Sequence, residues 1–256
     1  MTRRDDHVRV DDHDGVRTIQ LNRPDKANAL TAHMLERMAH AVRTAQAENM
    51  QVIVLRSASD VLFCAGSDIR EFSEGPEHLE RQGAGLRELM FEMARCPVPI
   101  IAIARGTASG AGLMVLAMTD VLIAADDLAL ACPELHFHMY PVIVQVVLEA
   151  KLPRALARRM CFNTQPITAA LAFDHGWVTD LVQAADFEVS SKERLSYYLA
   201  RRDALRIARK GKLLMELPER FIERVQMLEP LMHENFSLPG VQERIGGYLA
   251  RLAAKE

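Results

Sequence analysis

The chain has 256 residues, 49% hydrophobic and 25% charged, with a formal net charge of −3. That length suits one large core, or a main domain with a smaller appendage, and the charge gives no electrostatic basis for binding nucleic acid or an acidic membrane surface. Cys64, Cys96, Cys132 and Cys161 lie far apart without C-x-x-C spacing, which argues against a disulfide framework or a zinc site and fits a reducing compartment; no apolar run reaches the roughly 18 residues of a membrane span.

The start, MTRRDDHVRVDDHDG, lacks the apolar segment of a signal peptide, so a cytoplasmic location is expected. Residues 7–24, HVRVDDHDGVRTIQLNRP, alternate in polarity. They predict two short strands joined at Asp14-Gly15 and ended by Pro24. Residues 29–48, ALTAHMLERMAHAVRTAQAE, repeat apolar side chains at helical spacing, predicting about five turns of helix with Thr31 as N-cap. QVIVLRS (51–57) reads as a strand buried on both faces.

A second helix is predicted over Leu86 to Arg95, and VPIIAIARG (98–106) is another buried strand. LMVLAMTD (113–120) is helical and VLIAAD (121–126) returns to strand. This alternation indicates an α/β layered core. Beyond residue 152 the pattern turns helical, with ALARRMCF (155–162) and ITAALAFDHG (167–176), the latter stopped at Gly176. From Ser191 onward it is almost wholly helical, divided by Pro218, Pro230 and Pro239. The Leu and Met content of this last region exceeds what one exposed helical hairpin hides, which predicts a partner surface. Its basic stretch ARRDALRIARKGK (200–212) reads as one solvated helix face rather than an RNA-binding surface.

Two segments stand apart. Gly106 to Gly112, GTASGAG, joins a buried strand to a helix without bulky Cβ atoms. Such a turn either lets the helix pack tightly or leaves backbone N–H groups free to hold an oxyanion. It lacks the G-x-G-x-x-G register, and no Gly-Lys-Ser/Thr follows. FCAGSDI (63–69) also follows a buried strand, and two such turns in one layer can aim two N–H groups at a single oxygen.

Together with LNRPDKANAL (21–30) and CPELHFHMYP (132–141), these segments resemble the crotonase superfamily, the enoyl-CoA hydratase/isomerase family, from the N-terminal hairpin to about residue 183. The resemblance implies a spiral of ββα units over residues 1–190 with a coenzyme A thioester site. It implies a helical region over 191–256 that assembles trimers, often paired into hexamers. No resident cofactor is implied, since coenzyme A arrives as part of the thioester substrate.

Carried over by position, the backbone N–H groups of Ser67 and Ala111 would form an oxyanion hole about 3 Å from the thioester oxygen. Glu134, in Pro133-Glu134, would be the acid/base carboxylate. Many hydratases of the family have a second glutamate where this chain has Met114, and a thioether transfers no proton. The substitution resembles the Δ3,Δ2-enoyl-CoA isomerase branch, in which one glutamate removes a proton from C2 and returns it at C4. A hydratase of low or specialised activity, a CoA-ester decarboxylase and a non-catalytic binding protein are the alternatives.

Val142, Ile143 and Val144 stand where hydratases commonly have a glycine-rich turn, and dienoyl-CoA isomerases and aroyl-CoA dehalogenases place an aspartate near Val142. The resemblance puts Lys26 near the nucleotide and the backbone around Ala65, Asp68 and Ile69 against the adenine. Tyr248 and Arg251 are imperfect stand-ins for a family pattern that reaches a neighbouring subunit. Alternation in LHFHMY would put His136, His138 and Tyr140 on one strand face; no further ligand completes a zinc site there, so no metal is expected.

Overall fold

The computed structural model describes residues 4–72, 76–216 and 218–254. Asp14 and Gly15, at φ 48° and 74°, reverse the chain between β1 (Val8–His13) and β2 (Val16–Leu21), the positive-φ pair that a tight hairpin needs. The Thr31 hydroxyl accepts the Met34 N–H at 3.2 Å and caps α1 (Ala32–Thr44), a contact worth about 1 kcal/mol. This helix is shorter than the five turns expected. Gln46 to Asn49 are exposed and bury no face, and helical stability in proteins comes mainly from packing.

After β3 (Val52–Ser57) come α2 (Ile69–Phe72), α3 (Pro76–Arg95) and β4 (Ile100–Ala104). The third helix starts ten residues earlier than its periodicity predicts, because Gly83 and Gly85 weaken the pattern. Gly85 is small for a packing reason: a Cβ there would lie 3.2 Å from Leu35 Cβ on α1. The Gly-rich stretch then contains a short strand, β5 (Thr107–Ser109), before α4 (Ala111–Ala117), β6 (Val121–Ala125) and β7 (Ala129–Ala131). The rest of the chain is α5 (Val142–Glu149), α6 (Arg154–Asn163), β8 (Ile167–Thr168), α7 (Ala169–Asp174), β9 (Asp180–Val182), α8 (Phe187–Leu199), α9 (Arg202–Glu216), α10 (Pro218–Ser237) and α11 (Pro239–Ala253).

Six strands form one sheet in the order β1-β2-β3-β4-β6-β9, antiparallel at the hairpin and parallel elsewhere; β5, β7 and β8 form a second, small sheet. The apolar runs of β3, β4 and β6 are buried on both faces, as parallel strands require. Ile53, Leu55, Ile100, Ala102, Leu122 and Ala124 face the main core, and the alternate residues Val52, Val54, Ile101, Ile103, Val121 and Ile123 face Phe187 and Leu195 of α8. No helix among the described residues is long and apolar enough to cross a membrane.

The region after residue 190 packs closely on what precedes it. Arg209 of α9, 3% exposed, donates to the Cys96 carbonyl and the Asp120 carboxylate, both at 2.8 Å, and Val225 of α10 joins the main core. Pro218 and Pro239 begin helices, where the missing N–H has no intrahelical partner. Pro230 instead lies inside α10 and does not divide it; only one i→i−4 bond is forfeited, and α10 is anchored on either side of it by Ile222, Val225 and Met232.

Candidate active site

The segment 21–30 builds the first small-residue turn. Asn28, wholly buried at φ 50°, donates through Nδ2 to Ser57 Oγ (2.8 Å) and the Phe63 carbonyl (3.0 Å). Ala65 N–H donates to the Ala27 carbonyl at 3.0 Å. Leu30 then pairs with Ser67 in a parallel bridge, its N–H donating to Gly66 O and its carbonyl accepting from Asp68 N–H, each at 2.8 Å. In an extended segment successive N–H groups point to opposite sides. With Asp68 N–H committed to Leu30, the N–H of Ser67 points away from it, and among the described residues it has no acceptor.

The second turn is zipped onto the first. Cys64 pairs with Ala108, Ser109 N–H donates to Cys64 O (3.0 Å), and Gly110 N–H donates to Ala131 O at the end of β7 (3.1 Å). Gly66, at φ 107°, lies so close that a Cβ there would meet Ser109 O at 3.0 Å and Ala111 N at 3.7 Å. Ala111 is the first residue of α4, so its N–H has no intrahelical partner, and none is found among the described residues. Two unpaired backbone donors therefore stand side by side. The packing explanation for the small residues holds as well, for a different glycine: a Cβ on Gly112 would strike Cys64 Cβ at 2.6 Å.

Glu134 faces this pair. Because β7 is held to Gly110 through Ala131, the chain leaving it through Pro133 delivers Glu134, the first residue of a 3-10 turn (Glu134–Phe137). A Cβ on Gly110, at φ 50°, would lie 3.0 Å from Glu134 Oε1, so a glycine is needed for both its backbone angle and its closeness to the carboxylate. Glu134 Oε2 is shut off from solvent with no hydrogen-bond partner. Burial holds the carboxyl above the ordinary glutamate value, opposed in part by its own backbone N–H and by the Cys132 thiol. A carboxyl held above its ordinary value at the wall of a cavity is a candidate group for proton exchange.

These groups open onto a cavity of about 530 Å³, within the size range of small-molecule sites. Ala65, Ser67, Ile69, Ala111, Met114 and Glu134 all line it. Met114, 2% exposed, lines it with a thioether, a group that transfers no proton. Val142, Ile143 and Val144 also line it, as the first turn of α5 rather than a loop. Asp68 does not: its carboxylate pairs with Arg23 at 2.6 Å and accepts the Arg70 N–H at 3.1 Å, fixing the turn that carries Ser67. Lys26 is also off the cavity, ending the 3-10 turn Pro24–Lys26 just before Ala27.

LHFHMY is no strand, and the alternation is a false period. Its residues form the 3-10 turn and a left-handed step at His138 (φ 61°), which suits the sharp reversal before α5. His136 and His138 are exposed, and His138 Nε2 accepts from Arg244 Nε at 3.1 Å. The Tyr140 hydroxyl donates to Gln145 Oε1, and Gln145 Nε2 donates to Glu149 at 2.7 Å, so the phenol is committed away from Glu134. No cluster able to hold a metal occurs among the described residues.

Sequence reasoning did not place the cavity's helical walls, and named only Tyr248 and Arg251 among them, as imperfect stand-ins for a pattern that reaches a neighbouring subunit. Leu86, Arg87 and Met90 of α3, Val225, Glu229 and Met232 of α10, and Arg244, Tyr248 and Arg251 of α11 all line it. Tyr248 and Arg251 therefore reach this chain's own cavity. On each helix the lining residues recur three or four apart, the signal of a single face, but periodicity does not say what that face meets.

The enoyl-CoA hydratase/isomerase family profile matches residues 11–250, and the chain belongs to that family. It is 26% identical over 241 residues to rat enoyl-CoA hydratase domain-containing protein 3, mitochondrial, covering 93% of this chain and 80% of that one. It is 25% identical over 197 residues to mouse enoyl-CoA delta isomerase 3, peroxisomal, covering 75% and 62%. Its fold superposes on a crystal structure of an enoyl-CoA hydratase from Mycobacterium avium subsp. paratuberculosis with a TM-score of 0.84 at 22% identity, covering 96% of each chain. The crotonase fold expected from the sequence is therefore the fold observed.

Proposed function

We propose that this protein shifts a carbon–carbon double bond in an acyl-CoA thioester by single-carboxylate proton transfer, the chemistry of a Δ3,Δ2-enoyl-CoA isomerase. The observation that carries this reading is a buried carboxyl, Glu134, set against two unpartnered backbone donors, with Met114 in place of a second acid/base group. Ser67 and Ala111 N–H hold the thioester oxygen, and their hydrogen bonds strengthen as negative charge develops there. Glu134 takes a proton from C2, giving an enolate conjugated with the 3,4 double bond. The same carboxyl returns that proton at C4, leaving a 2-enoyl thioester and an unchanged enzyme. Similarity to a delta isomerase supports the assignment.

Incubation of 3-enoyl-CoA thioesters in deuterated water, with products read by NMR, tests it. Formation of the 2-enoyl product is expected. Hydration of crotonyl-CoA by the wild type at roughly 10²–10³ per second, a rate typical of efficient enzymes, would exclude it. Met114→Glu should raise crotonyl-CoA hydration from its low base, by adding the carboxylate needed to hold and activate water while Glu134 delivers a proton.

The same proposal includes a homotrimer, singly or paired. Leu214 and Met215 of α9, each 79% exposed, and Met227 of α10, 72% exposed, are large apolar side chains left to solvent, as a partner surface would leave them. Light scattering at micromolar concentration should give a multiple of three chains. A monomer there rules the assembly out.

A further inference from the structure

We infer that the ion pair Arg87–Glu229, between α3 and α10, is the end-stop of the acyl-binding cavity and sets the length of acyl chain accepted; this rests on the acyl-CoA reading above. The two helices run antiparallel along the cavity. A Cβ on Gly83 would lie 3.9 Å from Met232 Cε, and one turn further along α3 the Arg87 guanidinium pairs with the Glu229 carboxylate, one turn back along α10. Met90 and Val225 continue the register on the two facing stripes, and all six residues line the cavity.

This seam differs in kind from the other walls. The oxyanion side is backbone hydrogen-bonded to backbone, and the opposite face of α3 is packed on α1, with Leu89 and Met93 buried and Gly85 against Leu35. Along the stretch of α3 and α10 that lines the cavity there is a glycine without a side chain, two methionines, which are unbranched and adaptable, Val225 and the Arg87–Glu229 ion pair; a second pair, Arg95–Glu219, ties the helices beyond the cavity lining. Both members of that pair are 27% exposed. Partly accessible to water while lining the cavity, they are held by a contact that water and salt weaken. Removing the Arg87 side chain beside Gly83 leaves that turn of α3 with only Leu86 and Met90 lining the cavity and nothing to pair with Glu229, and a longer acyl tail can pass between the helices.

Equilibrium binding of saturated acyl-CoA thioesters from butanoyl to hexadecanoyl, by calorimetry, tests this without requiring turnover. For the wild type, affinity should rise with length and then fall sharply. Arg87→Ala should move that fall to longer chains and raise the hexadecanoyl-to-butanoyl affinity ratio by about tenfold. The charge-swapped double variant Arg87→Glu with Glu229→Arg should restore the wild-type profile, and Glu229→Gln, which preserves shape, should give an intermediate one. Length profiles that coincide for wild type and Arg87→Ala would overturn the end-stop while leaving the acyl-CoA reading intact. Failure of the wild type to bind any thioester in the series would overturn that reading, and the end-stop with it. Should Arg87→Ala fold poorly, as seen by thermal unfolding, the Glu229→Gln profile decides in the same way.

Discussion

Glu134→Gln should lower turnover of a 3-enoyl-CoA by roughly 10²- to 10⁴-fold, the usual contribution of a positioned acid/base group, while thioester binding persists. The amide matches the carboxyl in size and fits the same place beside Gly110, but it cannot carry a proton from C2 to C4. The pH profile supplies a second reading. Burial raises the Glu134 value, so wild-type activity should fall on the acid side at a pH above that of an ordinary glutamate, because the first step needs the ionised form.

Stability should move with the same group. A carboxyl whose folded value is raised stabilises the fold below the unfolded carboxylate range and loses that contribution as pH rises through the folded value. The Gln variant should therefore melt at or above the wild-type temperature at pH 8, and the difference should close near pH 4. Full activity of Glu134→Gln on every substrate that wild type converts would remove Glu134 from the chemistry.

Ser67→Pro should cost on the order of 10²- to 10³-fold in kcat, the range seen when one oxyanion donor is removed, whereas Ser67→Ala should be nearly silent. The pairing of Leu30 with this segment uses Gly66 O and Asp68 N–H, so a proline at 67 removes the one N–H that the scaffold does not use. Ala111→Pro is the matching experiment on the other donor. It occupies the first position of α4, where helices tolerate proline well, and a comparable loss there with little change in melting temperature would separate lost donation from lost folding. A large loss in Ser67→Ala would instead make the hydroxyl a participant.

Much of this was legible in the sequence because the informative residues act through local rules. Asp14-Gly15, the Thr31 cap and the apolar runs of β3, β4 and β6 each carry their own structural reason. The Ser67 and Ala111 turns were visible as gaps in side-chain bulk after buried strands. The segment 21–30 was legible only as part of a pattern; that Asn28 and Arg23 brace the Ser67 turn follows from contacts across 35 and 45 residues of chain, which no local period encodes.

Other errors had the same origin. The alternation of LHFHMY suggested a strand because period two was read without the left-handed His138 that breaks it. Pro230 suggested a boundary because the packing that retains α10 around it comes from other elements. The cavity walls on α3, α10 and α11 were each legible as helix faces, yet what they enclose depends on pairings such as Arg87 with Glu229, 142 residues apart.

That separation divides the protein's chemistry from its enclosure along the chain. Both proposed oxyanion donors and the proposed acid/base carboxyl are encoded by residue 134, while part of the wall of their cavity comes from α10 and α11, which are made later. During vectorial synthesis, in which earlier segments fold first, a chain stopped after α9 would have the proposed proton-transfer groups but leave them open to water. An enolate formed there would lack the excluded environment that strengthens its hydrogen bonds and protects it from stray protons. On the proposed function, full activity would report that α10 and α11 are in place, and clipping within residues 218–253 should silence turnover without touching Ser67, Ala111 or Glu134.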